Sequence, residues 1–73
     1  MNVYLVSQGT GREVTNQYNI GIFESKKGAD LFVEMHRAGH EGIWSLETTK
    51  KYDIWFRPLD GFSIKIERFK VHP

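Results

Sequence analysis

The chain contains no cysteine, so no disulfide can staple it and no thiolate can ligate a metal or attack a substrate. This excludes a small secreted scaffold held by disulfides and fits a reducing cytoplasm, the expected location. Long hydrophobic runs are missing too. No stretch approaches the roughly 20 apolar residues that cross a bilayer, so no membrane association is expected. Met1-Asn2-Val3-Tyr4-Leu5-Val6 lacks the basic start and long apolar run of a signal peptide and reads as a first strand at the natural start of the protein. Nor is there an excess of one charge: ten Lys and Arg stand against nine Asp and Glu, a net charge of +1. Nucleic-acid binders draw most of their affinity from phosphate contacts and usually carry a larger positive excess. Balance leaves room for a local basic patch but argues against an overall polyanion-binding protein.

What remains is enough for one domain, residues 1–73, with one core. A chain this short buries only about 60% of the surface its unfolded form exposes. Without disulfides, self-association is one way to add stability. Two Trp, three Tyr and five Phe supply large buried areas, and the same residue types are favoured at protein interfaces.

Val3 to Ser7 is a β-rich run ended by Gln8-Gly9-Thr10-Gly11, and Tyr18, Ile20 and Ile22 alternate through a second strand from Gln17 to Phe23. Their short connection predicts a hairpin with its tip around residues 9–15. Ser25 is placed to cap a helix over residues 26–38. Ala29, Phe32, Val33 and His36 follow the i, i+3, i+4, i+7 spacing of one face, which Leu31, Met35 and Ala38 widen. Gly39 occupies the position of a left-handed C-cap. Residues 40–51 carry Ile43, Trp44 and Leu46 and then a polar run; an irregular segment tucking Trp44 or Leu46 under the sheet is expected. Residues 52–57 and 62–71 form a second hairpin around Pro58-Leu59-Asp60-Gly61. In its last strand Phe62, Ile64 and Ile66 share one parity while Phe69 and Val71 have the other. This calls for a bulge near Glu67-Arg68 or a strand that packs on both sides.

The expected fold is α+β: two antiparallel hairpins in β-β-α-β-β order, forming a small sheet with one helix on one face. Tyr4, Val6, Phe23, Trp55, Phe69 and Val71 are expected on the face opposite Val3, Leu5, Ile20, Ile22, Ile64 and Ile66. One helix covers one face only, so an apolar sheet surface should remain for a partner.

Three segments, Asn2-Val3-Tyr4-Leu5-Val6-Ser7, the run from Asn19 to Ala29, and Asp60-Gly61-Phe62-Ser63-Ile64, resemble a family of short uncharacterised bacterial and phage proteins. In that family a VYLV strand precedes an IGVFSS strand, a helix and a DGFSI strand. The resemblance covers about half the chain and rests on strand ends, a cap and a turn. It implies this fold and a phage or mobile-element origin, with the host cytoplasm as location. It transfers no activity, cofactor or site. Residues 41–52 depart from the pattern by their length.

Candidate chemistry is sparse. His36 and His40 have the spacing of a helical metal pair, but Gly39 should end the helix between them. A third ligand would have to come from Glu41 or His72, so the chain is read without a metal or other cofactor. Gln8-Gly9-Thr10-Gly11-Arg12 could cradle a phosphate, yet a strand follows where phosphate loops lead into a helix, so a hairpin turn that needs glycine is the preferred reading. The serines lack a nucleophile signature and the acids are scattered without pairing, so no enzyme is expected. Lys50, Lys51, Arg57, Lys65, Arg68 and Lys70 near Trp44, Tyr52 and Trp55 could stack and neutralise single-stranded nucleic acid, although Glu41, Glu47, Asp53 and Glu67 interrupt the patch.

The reading that follows is a small non-enzymatic protein-interaction module, such as a phage inhibitor of a host or defence protein, acting by surface occlusion and able to form a homodimer. Its candidate interface is Trp44, Tyr52, Trp55, Phe56 and Leu59. Trp44 and Trp55 could equally finish the core. The alternative is a nucleotide or single-stranded nucleic-acid binder using Arg12, Lys50, Lys51 and Arg57.

Overall fold

A computed structural model describes residues 2–11 and 15–71. The elements are β1 (Asn2–Thr10), β2 (Thr15–Phe23), α1 (Lys26–Ala38), β3 (Ser45–Thr48), β4 (Tyr52–Arg57) and β5 (Phe62–Lys70). The five strands form one antiparallel sheet in the order β2-β1-β5-β4-β3. Both predicted hairpins are present, with strand β1 running on to Thr10. The expected β-β-α-β-β order is corrected to β-β-α-β-β-β. The segment read as irregular contains β3, whose residues are all exposed and which pairs with β4 from Ser45↔Phe56 to Thr48↔Asp53. Its polar residues suit a short edge strand, which needs no buried face of its own.

Strands β1 and β5 pair without interruption from Asn2↔Lys70 to Thr10↔Phe62. The bulge expected near Glu67-Arg68 is absent, so Phe69 stays on the face opposite Ile64 and Ile66. The irregularity lies instead between β1 and β2. Val6 faces Gly21 but Ser7 faces Asn19, leaving Ile20 as the extra residue. This slip carries Ile20 into the helix-side core, while Ile22 is 70% exposed. The expected division of faces is corrected accordingly. Ile20, Ile64 and Ile66 join Tyr4, Val6, Phe23 and Trp55 beneath the helix. By parity, Val3, Leu5, Ile22, Ile54 and Phe69 point to the other side.

Val6, Ala29, Val33, Ile64 and Ile66 are almost completely buried. Each large aliphatic among them contributes about 1.5–3 kcal/mol by leaving water. Gly21, opposite Val6, leaves room for the rings above it. A Cβ there would stand 2.8 Å from the Phe23 ring, which packs 5.1 Å from that of Phe32.

Helix α1 begins as expected: the Ser25 hydroxyl accepts the Gly28 N–H at 3.0 Å. Its end differs, because Gly39 has φ −83° and stays right-handed; the positive φ falls later, at Gly42. Leu31 and Met35 do not widen the core face. They are 52% and 77% exposed, because the helix sits over β1, β2 and β5 and a single layer contacts only one stripe. No helix among the described residues is long and apolar enough to cross a membrane.

Candidate interaction surfaces

The five residues expected to form an interface are separated by the sheet. Trp44 and Trp55 lie on the helix side, half-buried against the core. The Trp44 ring meets Phe62 edge-on at 5.9 Å, and its Nε1–H donates to the His40 carbonyl at 3.4 Å. Trp55 lies under the Arg37 guanidinium, 3.7 Å from the ring centre. Tyr52 and Phe56 have the opposite parity in β4 and share the uncovered face with Lys65, whose Nζ is 5.7 Å from the Tyr52 ring. Leu59 projects from the β4–β5 turn, 83% exposed.

The expected cationic set is likewise divided. Arg12 lies outside the described residues. Arg57, at one end of β4, is held internally: its Nε donates to Asp60 Oδ1 at 3.0 Å, its Nη2 to Oδ2, and its Nη1 to the Glu41 carbonyl at 2.7 Å. Hydrogen bonding and the charge of Asp60 hold the guanidinium above its ordinary pKa, and the same contact holds the Asp60 carboxyl below its own. Lys50 and Lys51 precede β4 at its other end. There they are joined by Lys26 of α1 and by Arg68 and Lys70 of β5.

His36 and His40 do approach, with ring centres 5.3 Å apart. His36 Nε2 is engaged by Gln8 Oε1 at 2.9 Å, and Gln8 Nε2 also donates to the Tyr18 hydroxyl. Among the described residues no group of three His, Asp or Glu is placed to hold a metal; His72 lies outside them. Burial lowers the His36 pKa from 6.5, and His40 adds to the effect.

Two surfaces stand out, the first not foreseen in the sequence and the second foreseen only in part. The first is the outer edge of β2. This nine-residue strand, Thr15–Phe23, contains no charged residue and no proline, whereas the other edge, β3, has four residues including Glu47. Sheet edges are normally guarded by charge, proline or brevity, because their free N–H and C=O groups template further pairing. Tyr18 and Ile22 of this strand are 61% and 70% exposed, on opposite faces of the sheet, and Leu31 and Met35 of α1 are exposed as well. Phe32 contacts Phe23, while Asp30, Glu34 and Arg37 look towards β3 and β4. Leu31 and Met35 therefore lie on the part of the helix turned away from β3 and β4. The second surface is the basic end at Lys26, Lys50, Lys51 and Arg68. Lys50, Lys51 and Arg68 belong to the basic patch expected from the sequence, but the edge position of β2 and the arrival of Lys26 beside the β3–β4 turn depend on how the strands are ordered.

No protein-family profile, curated protein or solved structure matches this chain.

Proposed function

We propose that this chain is a non-enzymatic protein-interaction module that occludes the surface it binds and docks through the edge of β2 and the helix flank beside it. The observation that carries the reading is the uncharged, nine-residue β2 edge with Tyr18, Ile22, Leu31 and Met35 exposed along it.

The first occupant of that edge is a second copy of the chain. In an antiparallel pair about a twofold axis, β2 meets β2 with residue i facing residue j and j facing i, so charges of one sign on the strand would be brought close to those of its copy. A strand with no charges escapes this repulsion. The pair would extend the sheet to ten strands and place Leu31 and Met35 of each copy over the neighbouring strand. A standard interface takes about 800 Å² from each partner, a modest share of the chain's 5103 Å² of accessible surface. The scattered acids, and the internal engagement of Arg57 and His36, support binding rather than catalysis.

Native mass spectrometry on micromolar protein tests the reading. A species of twice 8.5 kDa is expected, and Ile22→Lys or Met35→Lys should convert it to monomer without loss of helical signal. A wild-type monomer, or a dimer unaffected by both substitutions, overturns the assignment of this edge.

A further inference from the structure

Beyond the first turn of α1, the sheet and the β3–β4 turn enclose a cleft of about 120 Å³. Tyr4, Ile66 and Arg68 form its floor, Lys26 stands on the helix side, and Thr49, Lys50 and Lys51 form the opposite wall. A wider hollow of about 420 Å³ adjoins it, lined by Asn2, Lys51, Arg68 and Lys70. Lys51 and Arg68 border both.

The wall is held in place by specific bonds. The Arg68 N–H donates to the Lys51 carbonyl at 2.9 Å, and Arg68 Nη2 donates to the Lys50 carbonyl at 3.0 Å. Thr49 closes the turn: its Oγ1 accepts the N–H groups of Lys51 and Tyr52 at 3.3 and 3.2 Å. The backbone carrying both lysines is thereby tied to β5.

The charges are not balanced locally. Asp53 is the acid lining the cleft, and Lys26 already holds it at 3.0 Å while also reaching Asp30 at 2.8 Å. Among the described residues neither lysine of the turn forms a salt bridge. Gathering cations around a partly enclosed space costs free energy that an anion would recover, and the gain is largest where water is partly excluded.

We infer that this cleft binds a phosphate monoester, with the phosphoryl group between Lys51 and Arg68, Lys50 closing over it, and the remainder of a nucleotide-sized ligand in the wider hollow. The arrangement is geometrically suited: lysine supplies compact charge, and arginine a planar fork of donors. Tyr4 offers an apolar wall for the ester group. The site lies at the β3–β4 end, away from the β2 edge, so it stands independently of dimer formation.

The experiment is an amide-resolved NMR titration of the protein with inorganic phosphate and with AMP, at constant ionic strength against chloride. Saturating shifts are expected at residues 49–53 and 68 with both, extending to Asn2, Tyr4 and Lys70 with AMP. Lys51→Ala and Lys50→Ala should each weaken AMP binding about tenfold, the effect of one lost charged contact. Lys27→Ala, next to Lys26 in α1 but lining neither hollow, should leave it unchanged. Unsaturated shifts matched by chloride, or an equal loss in Lys27→Ala, would overturn the site. A thymidine decamer lacking terminal phosphate should not displace AMP. Displacement by the decamer would replace the monoester with a nucleic-acid strand and overturn the proposal as stated.

Discussion

The guanidinium of Arg37 lies over the indole of Trp55, 3.7 Å from the ring centre, and its buried Nε has no hydrogen-bond partner among the described residues. An arginine in that position acts as a lid. Its planar cation faces the negative π-surface, and its methylenes cover apolar area that β4 would otherwise expose beside the helix.

Two substitutions separate these contributions. Arg37→Ala should cost about 1–2 kcal/mol in urea unfolding, and Trp55→Ala about 3 kcal/mol because a ring against the core is lost. The double-mutant cycle should show a coupling of about 1 kcal/mol. Additive losses would mean that the two residues stabilise the fold separately.

Stability should fall in mild acid through His36. Burial lowers its pKa from 6.5 in the folded state, so between that lowered value and 6.5 the unfolded chain binds more protons. The stabilisation is therefore complete above pH 6.5, shrinks as pH drops, and is fully lost below the folded pKa. Thermal melts of His36→Gln should show a flatter profile between about pH 5 and 7. An unchanged slope would place the titrating group elsewhere.

The hydroxyls of Ser7 and Ser63 are fully buried without hydrogen-bond partners among the described residues. Removing an unsatisfied hydroxyl relieves a desolvation cost, and alanine fits the space. Ser63→Ala should raise stability by about 1 kcal/mol in chemical denaturation, and Ser7→Ala should do the same. Loss of stability in both would show that the hydroxyls hold bonds in solution.

At the β4–β5 turn, Gly61 has φ +76° and its N–H donates to the Arg57 carbonyl at 2.9 Å. Gly61→Ala should cost about 1 kcal/mol, since a side chain disfavours that conformation. Arg57→Lys should also destabilise, because the paired contacts to Asp60 need the guanidinium fork. Equal stability of Arg57→Lys to wild type would remove the fork as a structural requirement.

Much of the fold could be read directly from local signals. The helix, its Ser25 cap and the Pro58–Gly61 turn depend on residues close in sequence, so local spacing predicts them. Face assignment failed where it depended on non-local register. Alternation through Tyr18, Ile20 and Ile22 was visible, but the slip opposite Val6 and Ser7 that moves Ile20 into the core appears only once β1 and β2 are aligned. β3 is not predicted from the sequence because an exposed edge strand leaves no hydrophobic pattern. Leu31 and Met35 fit a core stripe by spacing, and only the position of the helix over the sheet shows them to be outside it. Of the candidate site, Lys50 and Lys51 were legible. Lys26 was not, because nothing in the sequence brings the first turn of the helix to the β3–β4 turn.

The continuous β1–β5 ladder also dictates when this protein can fold. Its two central strands lie about sixty residues apart along the chain, from Thr10↔Phe62 outward to Asn2↔Lys70. A ribosome would release β1, β2 and α1 long before β5 emerges, and through that interval one flank of β1 would stand unpaired. Contacts this distant slow the search for the native state and expose the nascent hairpin to aggregation. Acquisition of structure should therefore be a single late event, triggered by delivery of β5 into the gap between β1 and β4.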